Sequence, residues 1–176
     1  NGWPVINPDH EEVQYYYPYP IKESEYKPQA PYSGNFTFKD DFSDEKLGLN
    51  WIFLRTPLDK WYSLTEKKGH LSMEVRPESA SEVVNPSFIG HRQQHLKGSA
   101  STSILFSPKA ENEKGGLLVF MNENHYYLLC KSVENNRPVV QLYKSSATST
   151  DLELVASANL KEGKGSLHLK IEANGD

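Results

Sequence analysis

The feature that most constrains this chain is an apolar period of two that recurs from Phe36 onward. A helix needs its apolar residues three and four apart, whereas alternation puts every second side chain on one face of a strand. His70 to Val75 alternates, with Leu71, Met73 and Val75 on one face. Ala100 to Phe106 is rich in β-formers and stops at Ser107 and Pro108. Gly116 to Met121 is a short, nearly continuous apolar run. Tyr126 to Lys131 puts Tyr126, Leu128 and Cys130 on one face and Tyr127, Leu129 and Lys131 on the other. Val139 to Tyr143, Leu152 to Ala156 and Leu167 to Ile171 follow. Turn-forming stretches separate these runs: Lys67 to Gly69, Asn122 to Asn124, Glu134 to Asn136 and Glu162 to Gly165. About ten short strands, spaced roughly 8–12 residues apart and with no helix longer than a turn, predict an all-β antiparallel sandwich or barrel.

Residues 1–34 have a different composition. They hold six of the eleven prolines and six of the ten tyrosines. Tyr15 to Pro20 can be neither helix nor central strand, because proline lacks an N–H and restricts the residue before it. The stretch reads as an extended linker whose rings lie on a neighbouring surface, or else as a disordered tail; disordered segments are poor in aromatics, which favours the first. At the other end, the last strand runs into Asn174, Gly175 and Asp176, a hairpin signal. The expectation is a sandwich over 35–176 that lacks its final strand or strands.

Composition excludes several classes. Leu, Ile, Val and Phe make up 41 of 176 residues, enough for a core. A net charge of −4 offers no basic face for nucleic acid. No apolar run approaches the roughly 18 residues that span a bilayer. The single cysteine, Cys130, excludes an internal disulfide and a multi-cysteine zinc site.

Candidate site residues each have a plain alternative. His91 and His95 lie four apart, which in an extended chain is about 13 Å, too far for one metal ion. Asp40 and Asp41 are candidate ligands of a structural calcium, or a solvated turn. Trp51, Trp61 and Tyr126 are candidate platforms for stacking sugar rings, or ordinary packing. No pair of acids stands out as a glycosidase couple, and there is neither a Gly-x-Ser-x-Gly elbow nor a phosphate loop. Asn35, Phe36 and Thr37 form a sequon, a pattern too common to carry an argument.

A resemblance rests on the order of several short pieces. These are Asp40 to Trp51 (DDFSDEKLGLNW), Phe53 to Pro57, Trp61 to Leu64, Gly69 to Leu71, Pro86 to His95 (PSFIGHRQQH), Ala100 to Phe106 and Gly115 to Leu117. Over roughly 36–171 they resemble the C-terminal concanavalin-A-like, jelly-roll-type β-sandwich of glycoside hydrolase family 43, the β-xylosidase and α-arabinofuranosidase type. His91 departs from the pattern, where a second arginine is usual. Asn1 to Ile6 is similar to the closing strand of that family's five-bladed propeller.

The resemblance implies that residues 1–34 are the end of a catalytic propeller and its linker. It implies that the family's base aspartate, modulating aspartate and acid glutamate lie in that propeller, so this chain carries no catalytic residue. The parent enzyme would invert configuration on xylose- or arabinose-containing saccharides. No cofactor is required. The loop Asn85 to His95 would narrow the sugar pocket, with Phe88 as an apolar wall and Arg92, Gln93 and Gln94 as hydrogen-bonding groups. The alternative places Phe88 in the core and pairs Arg92 with an acid inside the sandwich. Three roles are weighed: an accessory domain packed on the propeller, an independent carbohydrate-binding module, and an oligomerisation surface. Polymeric substrates favour the periplasm or exterior, whereas short imported oligosaccharides would suit the cytoplasm.

Overall fold

A computed structural model describes Glu12, residues 34–161 and residues 165–175. The linker expected over 1–34 lies outside the described residues apart from Glu12 and Gly34. Contacts divide the chain into two units, Asn1–Lys39 and Asp40–Asp176, and every strand described lies in the second.

Ten strands form among the described residues, all paired antiparallel, and there is no helix. Four of them make a meander: β6 (Gly115–Asn122), β7 (His125–Glu134), β8 (Arg137–Lys144) and β9 (Glu153–Asn159), adjacent in that order. The β7–β8 hairpin turns on Asn135 and Asn136, whose φ angles of 50° and 60° are both left-handed. A two-residue hairpin turn with both φ positive matches strand twist, and asparagine tolerates that region better than most residues. A second sheet pairs β5 (Lys97–Ile104) with β10 (Leu167–Asn174) along their full length. Two short pairs complete the set: β1 (Ile52–Phe53) with β4 (Ile89–Gly90), and β2 (Tyr62–Ser63) with β3 (Ser72–Met73).

Register fixes the faces of the meander. Tyr126, Leu128 and Cys130 of β7 share a face with Phe120, Leu118 and Gly116 of β6, their partners across the ladder. Val139, Gln141 and Tyr143 of β8 extend that face. It is the core face: Cys130 and Ser132 are fully buried, and Tyr126, Val139 and Gln141 nearly so. Its polar groups are satisfied, as burial requires. The Ser132 hydroxyl donates to the carbonyl of Glu113 at 2.9 Å, and the Tyr143 hydroxyl donates to Oε1 of Gln141 at 2.9 Å. Phe88, Phe120 and Tyr126 form a chain of rings with centroids 5.7 Å apart at each step. Trp61, 1% exposed, is flanked by Phe53 at 5.9 Å and Tyr62 at 5.3 Å.

Most strands differ in length from the sequence expectation, and three of the differences have a visible cause. β5 covers 97–104 rather than 100–106, because Leu105 and Phe106 leave the ladder. The Phe106 ring instead lies over Gly115, where an added Cβ would come within 3.2 Å of it, and its carbonyl accepts Lys131 Nζ at 2.6 Å. β7 runs ten residues, longer than its apolar run, because it has a ladder on both sides. In the alternating run 70–75 only Ser72 and Met73 form a strand, and Met73 and Val75 are 41% and 52% exposed. Two neighbours and a deep face stabilise a strand; a two-residue pair has neither.

Candidate functional site

The segment between β4 and β5 leaves a firmly tied base and ends in a wholly exposed stretch. Asn85 is the centre of the base. Its amide nitrogen donates to the carbonyls of Leu54 and Arg55 at 3.2 and 3.3 Å, and its Oδ1 accepts the Trp61 indole N–H at 3.3 Å. Its own carbonyl accepts Arg76 Nη1 at 3.2 Å. Arg55, at a left-handed φ of 69°, donates Nη1 to the carbonyl of Val84 at 2.6 Å and pairs through Nη2 with the Glu123 carboxylate in the β6–β7 turn. A hydrogen bond to main-chain N–H and then the Arg55 guanidinium hold the Glu123 carboxyl below its usual 4.5. Pro86 is buried next to this anchor.

Beyond β4 every residue from His91 to Ser101 is exposed. Arg92, Gln93 and Gln94 therefore sit at the surface, clear of the core. Gln93 donates Nε2 to the carbonyl of His95 at 2.8 Å, which fixes its amide plane. His91 sets Nδ1 on the carbonyl of Arg92 at 3.0 Å and stands edge-on to Trp51 with centroids 6.3 Å apart.

The other sequence candidates take up different places. The Phe88 ring lies on Phe120 and covers Gly90, where a Cβ would meet it at 2.7 Å, so it belongs to the core layer rather than to the loop tip. Trp61 and Tyr126 correct the expectation of stacking platforms: at 1% and 4% exposure neither ring offers a face to a sugar. Tyr126 is further held by a 2.6 Å hydrogen bond between its hydroxyl and that of Ser81. Trp51 is half-buried against Phe42 and donates its indole N–H to Asp40 Oδ2 at 2.6 Å.

Asp40 and Asp41 do not fit a calcium role as they stand. Asp40 accepts from Trp51 with one oxygen and from the Phe42 N–H with the other at 2.8 Å, and Asp41 accepts the Ser43 N–H at 3.1 Å. Calcium needs six or more oxygens converging on one point. These carboxylates instead close turns with N–H donors, and no group of three His, Cys, Asp or Glu gathers among the described residues.

Next to the exposed stretch lies a groove of about 380 Å³. Gln93, Val119, Met121, His125, Tyr127 and Lys144 line it with their exposed side chains, and the buried Tyr126 and Ser145 border it. Tyr127 was visible in the sequence as the neighbour of Tyr126 on the opposite face. Alternation alone does not say which of two aromatic faces is covered; the ring chain from Phe88 decides it.

The architecture is that of an antiparallel β-sandwich with an exposed loop at one end, and comparison with known proteins assigns it. The profile of the beta xylosidase C-terminal concanavalin A-like domain matches residues 39–176. The chain belongs to this family, the C-terminal accessory domain of glycoside hydrolase family 43 enzymes. It is 35% identical over 145 residues to the non-reducing end alpha-L-arabinofuranosidase BoGH43B of Bacteroides ovatus, covering 82% of this chain and 26% of that protein. It is 28% identical over 169 residues to a xylosidase/arabinosidase of Butyrivibrio fibrisolvens, covering 90% of this chain and 32% of that one. The chain thus spans about a quarter to a third of the length of these relatives. Among solved structures, a family 43 protein from a capybara gut metagenome superposes with a TM-score of 0.72 at 31% identity, over 81% of this chain and 27% of that one. This likeness also establishes the concanavalin-A-like sandwich expected from the sequence.

Proposed function

We propose that this chain is the non-catalytic accessory sandwich of a family 43 glycosidase acting on xylose- or arabinose-containing saccharides. It packs on the catalytic propeller and lends the stretch His91–Leu96 to the rim of the sugar pocket. The observation that carries this reading is the contrast within one connection. Asn85 ties its base to Leu54 and Arg55, to Trp61 and to Arg76, and Arg55 ties it on to Glu123, while the residues from His91 to Ser101 are all exposed and include the amide and guanidinium donors of Arg92, Gln93 and Gln94. A loop meant only to join two strands does not need such an anchor; a loop presented to a partner does. Residues 1–34 serve in this reading as the propeller's last strand and its linker, and the acid–base chemistry belongs to the propeller. A secreted or periplasmic location suits polymeric substrates.

The test uses the whole enzyme that carries this domain. Removing the donors of Arg92, Gln93 and Gln94 together should lower kcat/KM on a nitrophenyl pentoside while leaving the melting temperature unchanged. The isolated chain should hydrolyse no aryl pentoside. Turnover by the isolated chain would contradict the reading.

A further inference from the structure

From the groove beside this loop we infer a binding site for the sugar rings of a neutral oligosaccharide, centred on Tyr127. The inference goes beyond the accessory role, since it requires no partner domain. It starts from register. Val119 of β6, Tyr127 of β7 and Lys144 of β8 are partners across two ladders. Side chains opposite one another share a face and stand about 5 Å apart, so these three form a row across the sheet. Tyr127 stands on an inner strand of that row and is 48% exposed, whereas Tyr126 beside it is buried. The row closes the end of the meander, where Lys144 is the last residue of β8 and pairs with Glu153, the first of β9, and a flat ring left half open on an inner strand there is a platform.

The surroundings select the ligand class. Val119 and Met121, 41% and 80% exposed, widen the apolar floor. Gln93, His125 and Lys144, which carry an amide, an imidazole and an amine, line the same space. His125 has its Nδ1 on Asn122 Oδ1 at 2.9 Å, which turns its other ring nitrogen away from that contact. A sugar ring has an apolar face of C–H groups and an edge of hydroxyls. An aromatic floor with amide, imidazole and ammonium groups at its border complements both parts.

Other occupants fit less well. A phosphate or carboxylate calls for a forked guanidinium or clustered cations, and among the described residues Lys144 is the one Lys or Arg that lines the groove. A peptide strand needs an open backbone edge, but β7 is paired on both sides. At about 380 Å³ the groove lies in the range of small-ligand sites.

The experiment is calorimetric titration of the full chain with xylohexaose and with an arabinoxylan oligosaccharide, a readout without turnover that stays separate from the catalytic test above. Saturable binding is expected, weakened about tenfold or more by Tyr127→Ala and kept by Tyr127→Trp. Gln93→Ala, on the exposed loop, should also weaken it, and it serves as the deciding variant if Tyr127→Ala lowers the melting temperature. Absence of saturable binding to both saccharides overturns the inference. So does undiminished binding by a folded Tyr127→Ala, or by Gln93→Ala should that variant be the deciding one.

Discussion

Arg55 holds Glu123 in an ion pair and, through its other guanidinium nitrogen, holds the carbonyl of Val84. One side chain therefore joins the segment leading into β4 to the turn between β6 and β7. The next two residues, Asn124 of that turn and His125 at the start of β7, line the groove together with Gln93. Arg55 thus ties the approach to β4 to the turn that precedes two of the groove's lining residues. Its left-handed backbone, costly for a long side chain, is held by the Asn85 amide on its own carbonyl.

The Glu123 carboxyl is held below 4.5 in the folded state, so the folded protein binds fewer protons there than the unfolded chain when the pH drops below that value. Its stabilisation is present above pH 4.5 and is lost as the pH falls through the depressed value. Glu123→Gln should melt below the wild type at pH 7, and the gap should close on acidification. The effect is small because the pair is partly open to solvent. Melting curves of both proteins across pH 3 to 7 measure it; a gap that persists undiminished at low pH is the contrary result.

Asn85→Ala removes two donors and an acceptor at once and leaves the indole N–H of the buried Trp61 without its partner. Leaving such groups unsatisfied costs about 1–3 kcal/mol. Denaturant titration should show a loss of that order, and Asn85→Asp, which keeps the acceptor for Trp61 but turns a carboxylate oxygen onto the carbonyls of Leu54 and Arg55, should lose at least as much.

Gly116 has no room for a side chain. A Cβ there would lie 2.0 Å from the carbonyl oxygen of Leu129 and 2.6 Å from the Cα of Cys130, backbone atoms that cannot turn aside. Gly116→Ala should destabilise by about 1–3 kcal/mol through overpacking against the central strand. Gly98→Ala in β5, where nothing lies within 4 Å, should be close to neutral. The two denaturation midpoints, compared side by side, check the argument.

Cys130 is fully buried between Gly116 and Gln141, and burial pushes its thiol from 9.0 to about 11. The unfolded thiol ionises near 9 while the folded one keeps its proton, so stability is full below pH 9 and declines as the pH climbs through about 11. At pH 8 a maleimide or aromatic disulfide should label the thiol only after denaturant is added. Rapid labelling of the native protein would contradict the burial.

The strands were legible because alternation is a local signal. Tyr126, Leu128 and Cys130 fall on one face in the sequence and line one face of β7 in the structure. The Asn135–Asn136 turn was equally plain, since its conformation is written in residue type. The strand ends were less so: Phe106 leaves β5 for a contact with Gly115, nine residues on, which no local pattern encodes. The site was legible only in part. Arg92 to Gln94 are exposed, but the rings of Trp61 and Tyr126 are covered, and only tertiary packing distinguishes a covered ring from an open one. Arg55 and Glu123 are 68 residues apart, so their union belongs to topology rather than to any motif.

The most direct test of the account is steady-state kinetics of the whole family 43 enzyme that carries this domain, with and without the donors of Arg92, Gln93 and Gln94. The account predicts that the triple alanine variant loses about tenfold or more in kcat/KM on a nitrophenyl pentoside, with its melting temperature unchanged. A triple variant with full kcat/KM would contradict it.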